Sequence, residues 1–421
     1  MAKLKLLAII WMVLVAMLAG VLYTPMPEGL EDPFGATVFM AGYKVAMSFP
    51  LVVREFLGQG RFLDNLEAIQ DPILGEGDRS PITSWFGGLN VTRATIEGVP
   101  VIVYKHWDAD DDKLRPGLIY FHGGGWTLAS ADTYDWTVYE LALATGAVAI
   151  NVNYRNAPQH PFPAAFDDVV SVTRHILRHG KQFGIDVSRV GVAGDSAGGN
   201  LAAATALHLS KKFPDLPALK YQALLCSFIQ GLTFHLPSHI DNAETLPSLY
   251  TKTVTAFTSL YLGLGGRNGE FHGSMFLENR HVSPEFRTKS KFAKYVDVQN
   301  LPEKYRTAKN AAPTAKESHN ETVFQRIKSV LVDPRFSPLM ADDLTNLPAA
   351  IVVVQKYDVL RDDGLLYAKR LRDSGVETVL HEGKGFHDDQ MKILPDLLRS
   401  KTGLKAFKNV CEFILRKTKS N

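Results

Sequence analysis

Beyond residue 88 the chain alternates between short apolar runs and longer stretches with helical spacing. Ala94–His106 reads as two strands joined by a glycine turn, and Pro116–Trp126 as a strand ending in a glycine cluster. Ala147–Arg155, Val187–Gly194, Ala218–Ile229, Pro348–Asp358 and Val376–Gly383 are further strand-like runs. Between them, Phe166–Gly184 places apolar residues at 166, 169, 170, 172, 176 and 177, one face of a helix. An Ala-rich run after Gly194 reads as helical, as do Gly364–Gly375 and Leu404–Thr418. Buried strands separated by amphipathic helices predict an α/β fold, with a mostly parallel central sheet flanked by helices on both faces.

Two stretches depart from this alternation. Residues 231–334 hold many charges and helical pieces but no strong strand, which predicts a helical cap inserted over the sheet. At the other end, Leu6–Tyr23 runs for 18 residues without a charge or a proline, near the lower limit for crossing a bilayer. Lys3 and Lys5 precede it, and Glu28, Glu31 and Asp32 follow, so the short tail should stay cytoplasmic while the body crosses. A cleaved signal peptide is the rival reading, but its apolar core would be unusually long. Residues 30–60 then read as one or two amphipathic helices, packing in the ordinary way, lying on lipid or roofing a pocket. The expected organisation is a tail (1–5), a transmembrane signal anchor (6–23), an N-terminal helical or cap segment (24–88), a first core part (89–230), the cap insertion (231–334) and a second core part (335–421).

Composition changes this picture little. Of 421 residues 46% are hydrophobic and the formal charge is +2, enough apolar content for a large core and no basic block to argue for nucleic acid. Sequons at Asn90 and Asn320 are glycosylation candidates if the body is lumenal. The two cysteines are Cys226 and Cys411; Cys226 sits in an apolar run, which favours a buried free thiol, though the sequence leaves open whether the two pair.

The candidate chemistry gathers at strand ends. Gly194-Asp195-Ser196-Ala197-Gly198 matches G-x-S-x-G, a strand-to-helix turn that exposes a serine nucleophile. His122-Gly123-Gly124-Gly125-Trp126 is a glycine loop after a strand, able to offer N–H donors to an oxyanion from Gly123, Gly124 and Gly125, with Ala197 supplying another. Its order fits neither a dinucleotide nor a P-loop phosphate site. Asp358 and His387 follow Ser196 in the order required of an acid and a base. Asp362 and Asp363 compete for the acid role, with helix capping as their alternative, and His381 beside the last strand reads as structural. A metal site from His381, His387 and Asp388 lacks a recognised spacing, so no metal and no cofactor is expected.

These motifs, with the stretch Asn153–Asp168, Asn200 after the nucleophile turn, Tyr357–Gly364 and Gly385-Phe386-His387, resemble the arylacetamide deacetylases of the hormone-sensitive-lipase-like α/β-hydrolases. The resemblance implies an α/β-hydrolase fold, a triad of Ser196, Asp358 and His387, and an oxyanion hole from the His122–Gly125 loop and Ala197. It also implies hydrolysis of esters or amides of lipophilic substrates by an enzyme anchored in the endoplasmic-reticulum membrane with its catalytic part lumenal. Sterol esters or acylglycerols are the alternative substrates. Plant gibberellin receptors share the scaffold without the histidine, so Gly385-Phe386-His387 argues against a receptor. The cysteine pair of the vertebrate members is absent, and Asn156-Ala157-Pro158-Gln159 stands where the family often has Leu-Ala-Pro-Glu. His122, Trp126 and Asp195 support these motifs, and the chemistry leaves Asp195 unexplained.

Overall fold

The computed structural model describes residues 20, 23–44, 83, 87–107, 113–246, 249–265, 273–308, 318–389 and 400–419. Among these residues eight strands form one sheet: β1 (Leu89–Ile96), β2 (Val99–His106), β3 (Arg115–Phe121), β4 (Val148–Val152), β5 (Ile185–Asp195), β6 (Tyr221–Leu225), β7 (Ala349–Gln355) and β8 (Thr378–Gly383). Their order is β1-β2-β4-β3-β5-β6-β7-β8. β1 and β2 are a hairpin, and β2 meets β4 antiparallel. Every pairing from β4 to β8 is parallel.

The hairpin turns on Glu97 and Gly98, both with positive φ, the two-residue turn that suits twisted strands. β4 and β6 are buried at every position, as strands covered on both faces must be. One cover contains helices Ala164–His179, Ser196–Lys212 and Arg361–Asp373, and the other contains Asp135–Thr145 and Lys401–Thr418. All six apolar positions expected to face inward on the first of these helices are buried. Asp135–Thr145 was not marked by the hydrophobic pattern. Packed on β2 and β4 and flanked by the C-terminal helix on the same face of the sheet, it buries apolar residues around much of its circumference and shows no clean stripe.

Between residues 231 and 334 the described residues contain five α-helices, three short 3-10 turns and no strand. This segment covers the carboxyl ends of the strands: Asn242 Nδ2 donates to the carbonyls of Asp358 (2.9 Å) and Lys356 (3.1 Å). The apolar run Leu6–Tyr23 lies outside the described residues apart from Gly20 and Tyr23. Among the described residues no helix is long and apolar enough to cross a membrane. Of the expected helices in residues 30–60, Pro33–Tyr43 is described, started by a proline and capped by Asp32, whose Oδ1 accepts from Gly35 N at 3.0 Å. Cys226 and Cys411 are both buried and are not joined in a disulfide.

Candidate active site

The strand register sets the site. Asp195 at the end of β5 pairs with Leu225 at the end of β6, and Leu225 pairs with Val353 of β7. Ser196 and Cys226 therefore leave adjacent strands side by side. Both have positive φ, 52° and 47°, uncommon for non-glycine residues and held here by surrounding packing. A Cβ on Gly198 would lie 2.0 Å from the Phe121 carbonyl oxygen, and one on Gly199 would lie 1.9 Å from Ser227 Oγ. These glycines let the helix Ser196–Lys212 sit directly on the ends of β3 and β6. Asn200 Nδ2 then donates to the Phe336 carbonyl at 2.7 Å, tying the helix to the returning chain.

The glycine loop after β3 is held from beneath by Asp195. Its carboxylate accepts from Tyr120 Oη (2.7 Å), Tyr134 Oη (2.7 Å) and the Gly123 N–H (3.1 Å). Burial and the nearby Asp388 charge push this carboxyl up to about 8, against the pull of the two tyrosine hydroxyls. In this structure the Gly123 N–H is directed to Asp195. Among the described residues no backbone acceptor takes the N–H of Gly124 or Gly125. Ala197, in the first turn of its helix, has no intrahelical acceptor. His122 stacks on Tyr154 at 4.2 Å, and burial holds its imidazole down at about 4, so it is a neutral packing group. Trp126 stacks on Tyr261 of the cap at 4.4 Å, and Phe257 of the same cap helix presses on Gly125, where a Cβ would meet its ring at 2.2 Å.

Asp358 lies three residues past β7 and His387 four past β8. His387 Nδ1 is 3.0 Å from Asp358 Oδ1, which also accepts from Leu360 N at 2.9 Å. Asp358 is fully buried and His387 is 5% exposed. With Nδ1 directed to the carboxylate, Nε2 is the nitrogen left for chemistry. In this structure Nε2 faces Asp388 Oδ2 at 3.0 Å instead of Ser196. Burial works against charge on His387, but the carboxylates of Asp358 and Asp388 outweigh it and hold the imidazole well above its ordinary value. Cys226 joins the same group: its sulfur, a nitrogen of His387 and an oxygen of Asp388 lie within 4.8 Å of one another.

The competitors are placed elsewhere. Asp362 Oδ2 accepts from Ser238 N at 2.7 Å, and Asp363 accepts from Ile229 N (3.2 Å) and Gln230 Nε2 (3.1 Å). They sit in the first turn of their helix but cap nothing; they pin the start of the cap segment to the core. His381 Nδ1 contacts Asn409 Nδ2 at 2.7 Å on the C-terminal helix, and it is Cys226 that groups with His387 and Asp388. Asn90 is a partly buried residue of β1, and Asn320 caps the helix Glu321–Leu331 through Val323 N at 3.0 Å. The N-terminal helix also reaches the site: Phe39 lies 5.2 Å from Phe386, the neighbour of His387, and Met40, Ala36 and Leu30 pack with Phe386 and Leu246.

The model of a family described by the alpha/beta hydrolase fold matches residues 118–283 and 295–388. The chain is 34% identical over 386 residues to an arylacetamide deacetylase of Bos taurus, covering 90% of this chain and 92% of the relative. It is 33% identical over 381 residues to a neutral cholesterol ester hydrolase 1 of Bos taurus, covering 89% and 90%. Among solved structures, a thermostable esterase from Pseudomonas putida shares the fold at TM-score 0.60 and 23% identity, over 89% of this chain and 97% of that one. A Pyrobaculum calidifontis esterase matches at TM-score 0.53 and 26% identity, over 78% and 84%. The chain belongs to the α/β-hydrolase family and is a hydrolase of the arylacetamide deacetylase type.

Proposed function

We propose that this chain is a membrane-anchored serine hydrolase that cleaves carboxylic esters or amides of lipophilic substrates through an acyl-enzyme on Ser196. The observation that carries this is the Asp358–His387 pair, 3.0 Å apart on the loops after β7 and β8 and beside the strained turn that holds Ser196. A ligand-binding protein has no need of such a pair. His387 Nε2 leaves Asp388, takes the Ser196 proton as the hydroxyl attacks the carbonyl, and returns it to the leaving group. Asp358 keeps the tautomer and stabilises the imidazolium. The tetrahedral oxyanion is met by the N–H groups of Gly124, Gly125 and Ala197. Water activated by His387 then frees the acid.

Phe257, Trp126 and Phe228 beside the glycine loop supply aromatic, apolar walls. They favour apolar acyl or alcohol groups, as do relatives named for arylacetamides and for cholesterol esters. Small acyl groups on a bulky apolar partner suit the tight contact of Phe257 with Gly125, while sterol or acylglycerol esters are the second reading, favoured by the apolar helix Pro33–Tyr43 beside Phe386. The anchor at 6–23, the catalytic body in the endoplasmic-reticulum lumen and glycans on Asn90 and Asn320 complete the proposal. Labelling by a fluorophosphonate probe tests the chemistry. Wild type should label and Ser196→Ala should not; labelling that survives the substitution refutes the nucleophile. An acyl-chain series of esters and anilides then separates the two substrate readings.

A further inference from the structure

We propose that Cys226 Sγ, His387 Nε2 and Asp388 Oδ2 form a binding site for a divalent cation of the zinc class, and that the bound cation turns the hydrolase off. The regulatory half of this proposal rests on the role given above to His387.

Cys226, His387 and Asp388, which lie just past β6 and β8, each offer one ligand atom within 4.8 Å of the other two. Zinc bonds to nitrogen and oxygen of about 2.0–2.2 Å place neighbouring tetrahedral ligands roughly 3.3 Å apart. Nε2 and Oδ2, at 3.0 Å, are already close to that spacing. One thiolate, one imidazole and one carboxylate is a donor set suited to zinc and poorly suited to calcium or magnesium, which want oxygen. The outer shell is in place as well. Asp358 accepts at Nδ1 of His387, which fixes the tautomer whose Nε2 lone pair faces the site, the carboxylate–histidine–metal arrangement that orients metal-binding histidines. Asp388 has positive φ (57°) and a side chain 24% exposed, whereas Cys226 is 1% exposed. An ion therefore enters past Asp388 and is closed from beneath by the sulfur.

On binding, the Cys226 thiol gives its proton to solvent as the metal–sulfur bond forms. The Nε2 lone pair becomes a metal bond and can no longer accept the Ser196 proton, so the first step of acyl transfer does not start. Three protein ligands leave the fourth position to water.

The test uses the full chain after treatment with a chelator. Hydrolysis of p-nitrophenyl acetate is followed against added Zn²⁺, and Co²⁺ is titrated separately while near-ultraviolet absorption is recorded. The expected results are inhibition by Zn²⁺ that a chelator reverses, and one Co²⁺ per chain with a thiolate charge-transfer band. Cys226→Ser should abolish that band. Asp388→Gly, a residue at ease with positive φ, should keep the fold and raise the metal concentration for half-effect by roughly tenfold or more. No band in wild type, a band that persists in Cys226→Ser, or equal Zn²⁺ sensitivity in wild type and both variants overturns the site. A metal-free chain that shows the band on cobalt addition but hydrolyses no ester overturns the hydrolase reading and leaves the site standing.

Discussion

The two ends of the candidate site are held in different ways. On the Ser196 side position is enforced by atoms that cannot move: Gly198 lies against the Phe121 carbonyl, where a Cβ would come within 2.0 Å, and Asp195 is gripped by two tyrosine hydroxyls and a backbone N–H. On the His387 side position is enforced by charge, with Asp358 on one ring nitrogen and Asp388 on the other, each at 3.0 Å. A sterically fixed group has one place to be. An electrostatically fixed group can change partner, and Nε2 must exchange Asp388 for Ser196 before chemistry starts.

The sharpest way to break this comparison is to attack each side by its own means. Gly198→Ala forces a methyl into the backbone of β3, so both activity and folding should fail, read as loss of soluble, cooperatively melting protein. Asp358→Asn should leave the melting transition close to wild type while kcat drops by about 10⁴-fold, because the imidazole then adopts the wrong tautomer. A stable, active Gly198→Ala or an unfolded Asp358→Asn would reverse the assignment of sterics to one side and charge to the other.

Asp195 offers an intermediate effect. Asp195→Ala removes the acceptor shared by the Gly123 N–H and the Tyr120 and Tyr134 hydroxyls, at a cost of about 1–3 kcal/mol for a buried donor left without its partner. The glycine loop then loses its support, and kcat should fall by about 10²–10³-fold, the loss typical of a displaced oxyanion donor. Asp195→Asn keeps an acceptor oxygen for Gly123 and should recover much of that loss. If both variants behave alike, the carboxylate contributes something other than positioning, and the comparison must be redrawn.

How far the sequence foretold the molecule follows the same division. The alternation of strand and helix was legible because parallel strands are apolar throughout and the helix Ala164–His179 carries a clean inward face. Ser196, Asp358 and His387 were legible as candidates because each sits just past a strand, within a local motif. Asp195 was not, since its partners come from β3, the glycine loop and Tyr134, which are distant in sequence. Cys226 was read only as a buried thiol. Its nearness to His387 follows from β6 lying between β5 and β7, a fact of strand order that no short stretch encodes. The contact of Asp388 with Nε2 depends on a left-handed backbone at one residue, which hydrophobic patterning does not report.

The smallest expected effect sharpens the comparison most finely, because it changes charge alone. His387 must be neutral to act as base, and Asp358 and Asp388 hold its imidazole above the ordinary value despite burial. The acid limb of kcat/KM should therefore lie above pH 6.5, the ordinary histidine value. Asp388→Asn removes one of the two carboxylates, so the limb should move to lower pH and the variant should outpace wild type on the acid side. Stability should respond with the opposite sign. A raised folded-state value means that the contribution of His387 to stability is whole below the unfolded value near 6.5 and is lost as pH climbs through the folded one. Asp388→Asn should thus cost stability mainly at low pH, where the imidazolium between two carboxylates is formed, and little in alkaline buffer. Asp195 faces the same imidazole with a weaker effect, so Asp195→Asn serves as the control. A limb that stays in place in Asp388→Asn would mean that Asp388 does not act on Nε2 in solution, and that His387, like Ser196, is held by packing.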